Sequence, residues 1–166
     1  MPLPFQPKAR TVLSCDFSGY VEPEIVKRRP VVVLKAHKTN PKLVAVVPLS
    51  TTRPTVLEEH HYRLLQNPLP DVEHIEVWAK CDLVAVVSIA RLDMIRSGRR
   101  RRDGKREYLH LQIGSDQFES IRRSVVAGLG LKSVFPPEAA KVGGVAHDPR
   151  LSIAATSDVT KITNED

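Results

Sequence analysis

No run of about eighteen apolar residues occurs in the 166-residue chain, so no membrane-spanning helix is expected. Aromatic residues make up only 5% of the chain against 42% hydrophobic residues overall, which leaves Val, Leu, Ile and Ala to build the core and favours strands. There are two cysteines, Cys15 and Cys81, without the spacing of a disulfide scaffold. Cys15 sits in an apolar strand; Lys80 could activate the adjacent Cys81, but cysteine is commonly buried, and both are expected to be packing rather than chemistry. A glycine-rich phosphate loop, a paired-cysteine metal site and a His-x-x-x-His spacing are all missing. His60 and His61 are adjacent, and side chains adjacent in a strand point to opposite faces, so the pair is not expected to share an ion. Neither a metal nor a cofactor is expected. The opening Met1-Pro2-Leu3-Pro4-Phe5-Gln6-Pro7 lacks the apolar core of a secretory signal, and with so little cysteine a cytoplasmic location is expected.

What the chain has in excess is positive charge. The net charge is +6, yet the residues from Ser133 onward hold three basic side chains (Lys141, Arg150, Lys161) and five acidic ones (Glu138, Asp148, Asp158, Glu165, Asp166). The first 132 residues therefore carry eight positive charges net. Seven basic side chains and one acid, Asp103, lie between Arg96 and Arg106. Such a run binds phosphate through counterion release without reading sequence, or else serves as a solvated hairpin tip.

Apolar β-branched runs set the expected elements. Thr11 to Phe17 reads as a first strand, closed by Ser18-Gly19 and followed by a long polar loop from Tyr20 to Arg29. Pro30–Leu34 and Val44–Leu49 are short enough to be buried strands, and Thr39-Asn40-Pro41-Lys42 between them favours a tight reversal. That hairpin brings Pro30 and Leu49 to one end. A fourth strand is expected over His60–Leu65, and one long strand over Glu76–Ser88, kinked near Cys81-Asp82. The arginine-rich tip then leads from it into an alternating strand over Glu107–Ile113, which would place the tip one strand away from Lys80 and Asp82. One helix follows, capped by Ser115, with Phe118, Ile121, Val125 and Leu129 on its apolar side and Gly128 and Gly130 at its end. The pattern predicts a mainly β single domain over residues 1–134, a small barrel or twisted sheet closed by a C-terminal helix, and a disordered tail over 135–166.

Chemistry concentrates on a few of these positions. Arg29 precedes Pro30, which biases it towards extended backbone and fixes where its guanidinium emerges. A guanidinium is a planar fork of donors that matches a phosphate and its pentacoordinate transition state. The hydroxyls of Ser50, Thr51 and Thr52 can donate to the same oxygens. Lys80 and Asp82, two apart, share a strand face and pair a proton donor with an acceptor.

Taken in order, these segments resemble the PemK/MazF family of type II toxin endoribonucleases. The likeness covers roughly residues 11 to 131: the strand ending Asp16-Phe17, Glu24 five residues before Arg29, Arg29-Pro30-Val31-Val32-Val33, Val47-Pro48-Leu49-Ser50-Thr51, Lys80-Cys81-Asp82, Val86-Val87-Ser88-Ile89-Ala90-Arg91-Leu92, and the closing helix. The resemblance implies a Src-homology-3-like barrel of the CcdB/MazF type, a homodimer, a cognate antitoxin as partner, and cleavage of single-stranded RNA without metal by attack of the substrate's own 2′-hydroxyl. It implies catalytic roles for Arg29, Ser50, Thr51, Lys80 and Asp82. RNA contacts are expected from Glu24, Thr52, Arg91, Arg99, Arg100, Arg101 and Arg102. The glycine-histidine pair frequent in the family is Glu22-Pro23 here, and Lys80 stands where some members have arginine. Two other readings suit the same fold: a non-enzymatic CcdB-like toxin that grips a protein such as gyrase, and a nucleic-acid-binding barrel without catalysis.

Overall fold

A computed structural model describes residue 3 and residues 5–70, 74–100, 102, 104 and 106–134. The chain divides into two units, Met1–Phe135 and Pro136–Asp166; the second, where the tail is expected, lies outside the described residues. Within the first unit the order is β1 (Thr11–Cys15), β2 (Arg29–Ala36), β3 (Leu43–Ser50), β4 (His61–Arg63), β5 (Trp78–Lys80), β6 (Ala85–Ser88), a 3₁₀ turn at Ile89–Arg91, β7 (Leu92–Arg100), β8 (Arg106–Leu109), β9 (Leu111–Gln112) and α1 (Ser115–Gly128). No helix among the described residues is long and apolar enough to cross a membrane.

The nine strands form one antiparallel sheet in the order β4-β5-β3-β2-β1-β7-β8, with β6 beside β3 and β9 beside β1. Two long strands change partners along one edge, and this corrects the expected order of elements. β3 pairs with β6 over Leu43–Val46 and with β5 over Leu49–Ser50. The expected strand over Glu76–Ser88 is therefore two strands, and Cys81–Val84 leaves the ladder between them in a turn where the Leu83 N–H donates to the Lys80 carbonyl at 3.1 Å. β1 likewise pairs with β7 over Leu13–Cys15 and with β9 over Thr11–Val12, so the expected strand over Glu107–Ile113 is broken at His110. β7 is an additional strand, and the arginine-rich tip joins β7 to β8. It stands beyond β3, β2 and β1 from Lys80 along the ladder, not one strand away.

Both faces of the central strands are covered, which is why their sequences read as unbroken apolar runs. Val12, Val32, Val47 and Leu49 face one cluster with Ala79, Cys81, Phe118 and Ile121, roofed by α1. Leu13, Cys15, Val31, Val33, Val44 and Val46 face a second cluster with Phe17 and Leu92, against which Tyr20 and Ile25 of the β1–β2 loop pack. The helix thus covers one face and the loop the other.

Gly114, not Ser115, is the N-cap of α1, without a side-chain capping bond. Leu129 is half exposed at the C-cap rather than on the buried stripe. The helix ends in a Schellman arrangement: Gly130 takes φ +69°, its N–H donates to the Ala127 carbonyl at 3.0 Å, and the Leu131 N–H donates to Val126 at 2.9 Å. Gly128 performs a different task. A Cβ on it would meet Asp82 Cα at 2.9 Å and the Cys81 carbonyl oxygen at 2.9 Å, so α1 rests directly on the backbone of the β5–β6 turn.

Gly128→Ala tests this contact. In an open helix the change adds about 1 kcal/mol of stability; here backbone must shift, and a loss of about 1–3 kcal/mol is expected. The urea midpoint should fall with an unchanged slope, accompanied by shifted amide resonances at Cys81 and Asp82. A raised midpoint would show that the contact yields freely.

Candidate functional site

The ladder builds a row of side chains across the sheet. Cys15 pairs with Arg29, Ser50 with Trp78, and Trp78 with Arg63. The β2–β3 register pairs Val31 with Pro48, and continuing it to the strand ends sets Arg29 opposite Ser50. Opposed residues have Cβ atoms about 5 Å apart. Alternation from Val31 and Val33, and from Val44 and Val46, puts Arg29 and Ser50 on the face covered by the β1–β2 loop. Trp78 and Lys80 alternate with Val77, Ala79 and Cys81, which face the helix side, so they share the loop face too. Four of the expected positions thus converge: Arg29, Ser50, Thr51 just beyond it, and Lys80.

Arg29 is half-buried and its guanidinium has no hydrogen bond or ion pair among the described residues. Ser50 Oγ accepts the Thr52 N–H at 3.1 Å, which closes the turn after β3 and leaves the hydroxyl hydrogen free to donate. Thr51 and Thr52 are exposed. The Trp78 indole N–H, next to Ser50 in the row, is buried without an acceptor among the described residues.

The loop over this face is held by arginines. Arg28 bridges Asp16 Oδ2 (3.0 Å) and Asp93 Oδ2 (2.8 Å), while Arg91 Nη1 donates to the Asp16 carbonyl (2.9 Å) and the Ser18 carbonyl (2.8 Å) and lies 5.4 Å from the Tyr20 ring centroid. The Asp16 carboxyl is held below the usual carboxylate range, first by the Ser18 N–H and then by Arg28. Arg91, expected at the RNA, is thus an anchor of the loop. Glu24 Oε2 accepts the Val21 N–H at 2.8 Å and shapes the loop from within.

Two clefts open beneath it. One, of about 300 Å³, is lined by Phe17, Tyr20, Glu24, Ile25 and, from the β5–β6 segment, Asp82 to Val86. The other, of about 210 Å³, lies between Glu24–Lys27 and Arg29. Glu24 borders both, so Arg29 and Asp82 open onto one continuous stretch of loop. The basic run is elsewhere: Arg99 and Arg100 end β7 and Arg102 is exposed in the following turn, while Arg101 lies outside the described residues.

Asp82 has a neighbour that the sequence did not connect with it. His60 Nε2 lies 3.7 Å from Asp82 Oδ2, and its Nδ1 lies 3.4 Å from Glu58 Oε2. The expectation that His60 and His61 diverge fails because His60 precedes β4 and is not bound by strand alternation; the two ring centroids are 4.1 Å apart. Ligand atoms of His60, His61 and Asp82 fall within 4.8 Å of one another, a grouping that could hold a cation. Two features oppose that use: His61 Nδ1 already accepts the Glu58 N–H at 3.2 Å, and Lys80 stands opposite His61 in the ladder. Burial, then the charges of His60 and Lys80, lower the proton affinity of His61. The thiols are inert: burial pushes Cys15 up to about 11 and Cys81 up to about 12.

Comparison with known proteins agrees with this architecture. Residues 8–103 match the family model described as "PemK-like, MazF-like toxin of type II toxin-antitoxin system". The uncharacterised protein YifN of Escherichia coli (strain K12) is 30% identical over 156 residues, spanning 81% of this chain and 99% of YifN. MazF (Form-I) from Deinococcus radiodurans superposes with a TM-score of 0.51 at 18% identity, covering 76% of this chain and 98% of that one. An endoribonuclease in complex with its cognate antitoxin from mycobacterial species gives a TM-score of 0.47 at 19% identity, over 75% and 96% of the two chains. The Deinococcus likeness bears out the expected fold class, a mainly β MazF-type sheet with a C-terminal helix. With more than half its length inside the family model and a relative at 30% identity over 81% of it, the chain belongs to the PemK-like, MazF-like toxin family of type II toxin–antitoxin systems.

Proposed function

We propose that this protein is a metal-independent endoribonuclease that cleaves single-stranded RNA, working in the cytoplasm as a homodimer under the control of a cognate antitoxin. The observation that carries this reading is the row that sets an Arg29 guanidinium without a partner among the described residues opposite the Ser50 hydroxyl, beneath a loop that opens two clefts. A half-buried guanidinium beside a hydroxyl cluster suits a phosphate better than a protein surface.

The chemistry follows from the groups present. The 2′-oxygen attacks the adjacent phosphorus, the P–O5′ bond breaks, and the products are a 2′,3′-cyclic phosphate and a free 5′-hydroxyl. The phosphorane gathers negative charge on its non-bridging oxygens, where Arg29 supplies a preorganised fork of donors. Ser50 and Thr51 hold the same phosphate. Asp82 takes the 2′-hydroxyl proton, and Lys80 gives a proton to the departing 5′-oxygen. Glu24 and Thr52 border the RNA path, Arg91 keeps the loop over it, and Arg99, Arg100, Arg101 and Arg102 attract the backbone from the far side of the sheet.

Arg29→Ala is expected to lower RNA cleavage by a hundredfold or more, roughly the cost of one missing oxyanion donor, without changing the circular dichroism spectrum. Cleavage at the wild-type rate by the purified variant would overturn the assignment. Excess chelator should leave the wild-type rate unchanged; strong inhibition would instead show a required metal.

The hydroxyls are separable as well. Ser50→Ala should slow cleavage more than Thr52→Ala, because Ser50 stands in the row with Arg29 while Thr52 lies beyond the turn. Equal or reversed effects would move the phosphate site along the turn.

Neutralising Arg99, Arg100, Arg101 and Arg102 with glutamine should raise KM and leave kcat nearly unchanged, as expected for groups remote from the reacting bond. Each phosphate that is no longer neutralised should flatten the dependence of log affinity on log salt by about 0.7. An unchanged slope would make the tip a solvated face.

A further inference from the structure

We infer that His60 and Asp82 act as one proton acceptor, with Glu58 orienting the imidazole, an inference that rests on the ribonuclease reading above. Its basis is a sequence of three groups: Glu58 Oε2 at 3.4 Å from His60 Nδ1, and His60 Nε2 at 3.7 Å from Asp82 Oδ2. The histidine side chain is 20% exposed and that of Asp82 36%, so the contact is partly shielded while Asp82 still borders the larger cleft. The backbone fixes this pairing, since the His60 carbonyl accepts the Cys81 N–H at 3.1 Å and ties the turn before β4 to the residue preceding Asp82. The resting of Gly128 on Asp82 holds it from the other side.

A neutral imidazole has one N–H and one lone pair. When the N–H lies on Nδ1 and faces Glu58, the Nε2 lone pair faces the Asp82 carboxylate. Two acceptors then confront each other across 3.7 Å, too far for a hydrogen bond and with no proton between them. A proton arriving at either one is shared by both, and the gap closes into a charge-assisted hydrogen bond of about 2.7–2.9 Å. A carboxylate alone is a weak base at neutral pH, and the imidazole lone pair beside it offers the incoming proton a second acceptor.

The remaining charged neighbours leave this role to His60. His61 on β4, with lowered proton affinity, contributes a neutral ring; Lys80 on β5 is the expected acid; and beyond α1, Lys132 is paired with Glu59. In the reaction the 2′-O–H bond breaks, its electron pair forms the O2′–P bond, and the proton passes to Asp82 and is shared with His60 Nε2. The P–O5′ pair leaves with a proton from Lys80. Exchange with solvent then removes the proton from His60 and restores the one on Lys80.

Cleavage of a short RNA by wild type, His60→Gln and Asp82→Asn from pH 5 to 9, in chelator, tests the inference. Glutamine keeps the size of the ring and accepts no proton. Its kcat should fall by about 10²–10⁴-fold with RNA affinity unchanged, the acid limb of the kcat/KM profile should move, and the double variant should be no slower than the slower single one. A wild-type profile in His60→Gln overturns the inference. Without RNA, the ring nitrogen NMR shifts of His60 should change in Asp82→Asn at fixed neutral pH, the mark of direct contact between Nε2 and the carboxylate. Unchanged ring shifts overturn the dyad whatever the cleavage result. If the ring shifts move but wild type leaves RNA uncut, the ribonuclease reading fails and takes the catalytic role of the dyad with it.

Discussion

The register of one hairpin governs everything else in this molecule. Val31, Val32 and Val33 on β2 and Val44, Val46 and Val47 on β3 are all closed to solvent, on both faces of the sheet. When both faces are apolar, polarity does not forbid a slip by one residue, as it does in a sheet with one wet face. The register must therefore be set at the ends. At the turn, Lys42 N–H donates to Asn40 Oδ1, Asn40 N–H to His37 Nδ1, and His37 N–H to the Leu43 carbonyl. A bulge at Leu34 adds one residue to β2 between this turn and the buried valines. Remove that residue from the count and Arg29 no longer stands opposite Ser50. A surface turn thus determines which side chains face each other at the opposite end of the hairpin.

Much of this was legible in the sequence, for reasons that also mark where legibility stops. The β2–β3 hairpin and α1 stood out because their apolar positions are dense and locally periodic, and the Arg29-Pro30 and Pro48-Leu49-Ser50 segments lie at the hairpin's open end. The division of Glu76–Ser88 into β5 and β6 depends on β3 exchanging partners along one edge, which no pattern inside residues 76–88 records. β7 was hidden because its second half is part of the basic run, so charge masked a strand whose pairing is supplied by β1 and β8. His60 was given no role for a similar reason. Its meaning comes from Asp82, twenty-two residues on, and the alternation rule that set it aside does not hold one residue before a strand begins.

Charge is laid out in two tiers. Close to the site, Arg28 and Arg91 are tied to Asp16, Asp93 and loop carbonyls, whereas Arg29 has no partner among the described residues. Far from it, the β7–β8 end carries a dense run whose field reaches on the order of a Debye length, about 8–10 Å in physiological salt. Under the proposed function, attraction and chemistry fall to different parts of the sheet, and the arginines at the β7–β8 end do not compete with Arg29 for the same phosphate.

The two thiols bracket the site, Cys15 in the row with Arg29 and Cys81 directly before Asp82, and both are buried. With pKa values raised to about 11 and about 12, the fraction ionised at neutral pH is about one in ten thousand or fewer. Peroxide and disulfide exchange act on the thiolate, so both pass these sulfurs by. The surroundings of Arg29 and Asp82 therefore present no readily ionised thiol, and neither Cys15 nor Cys81 offers an oxidant a handle on the geometry beside it.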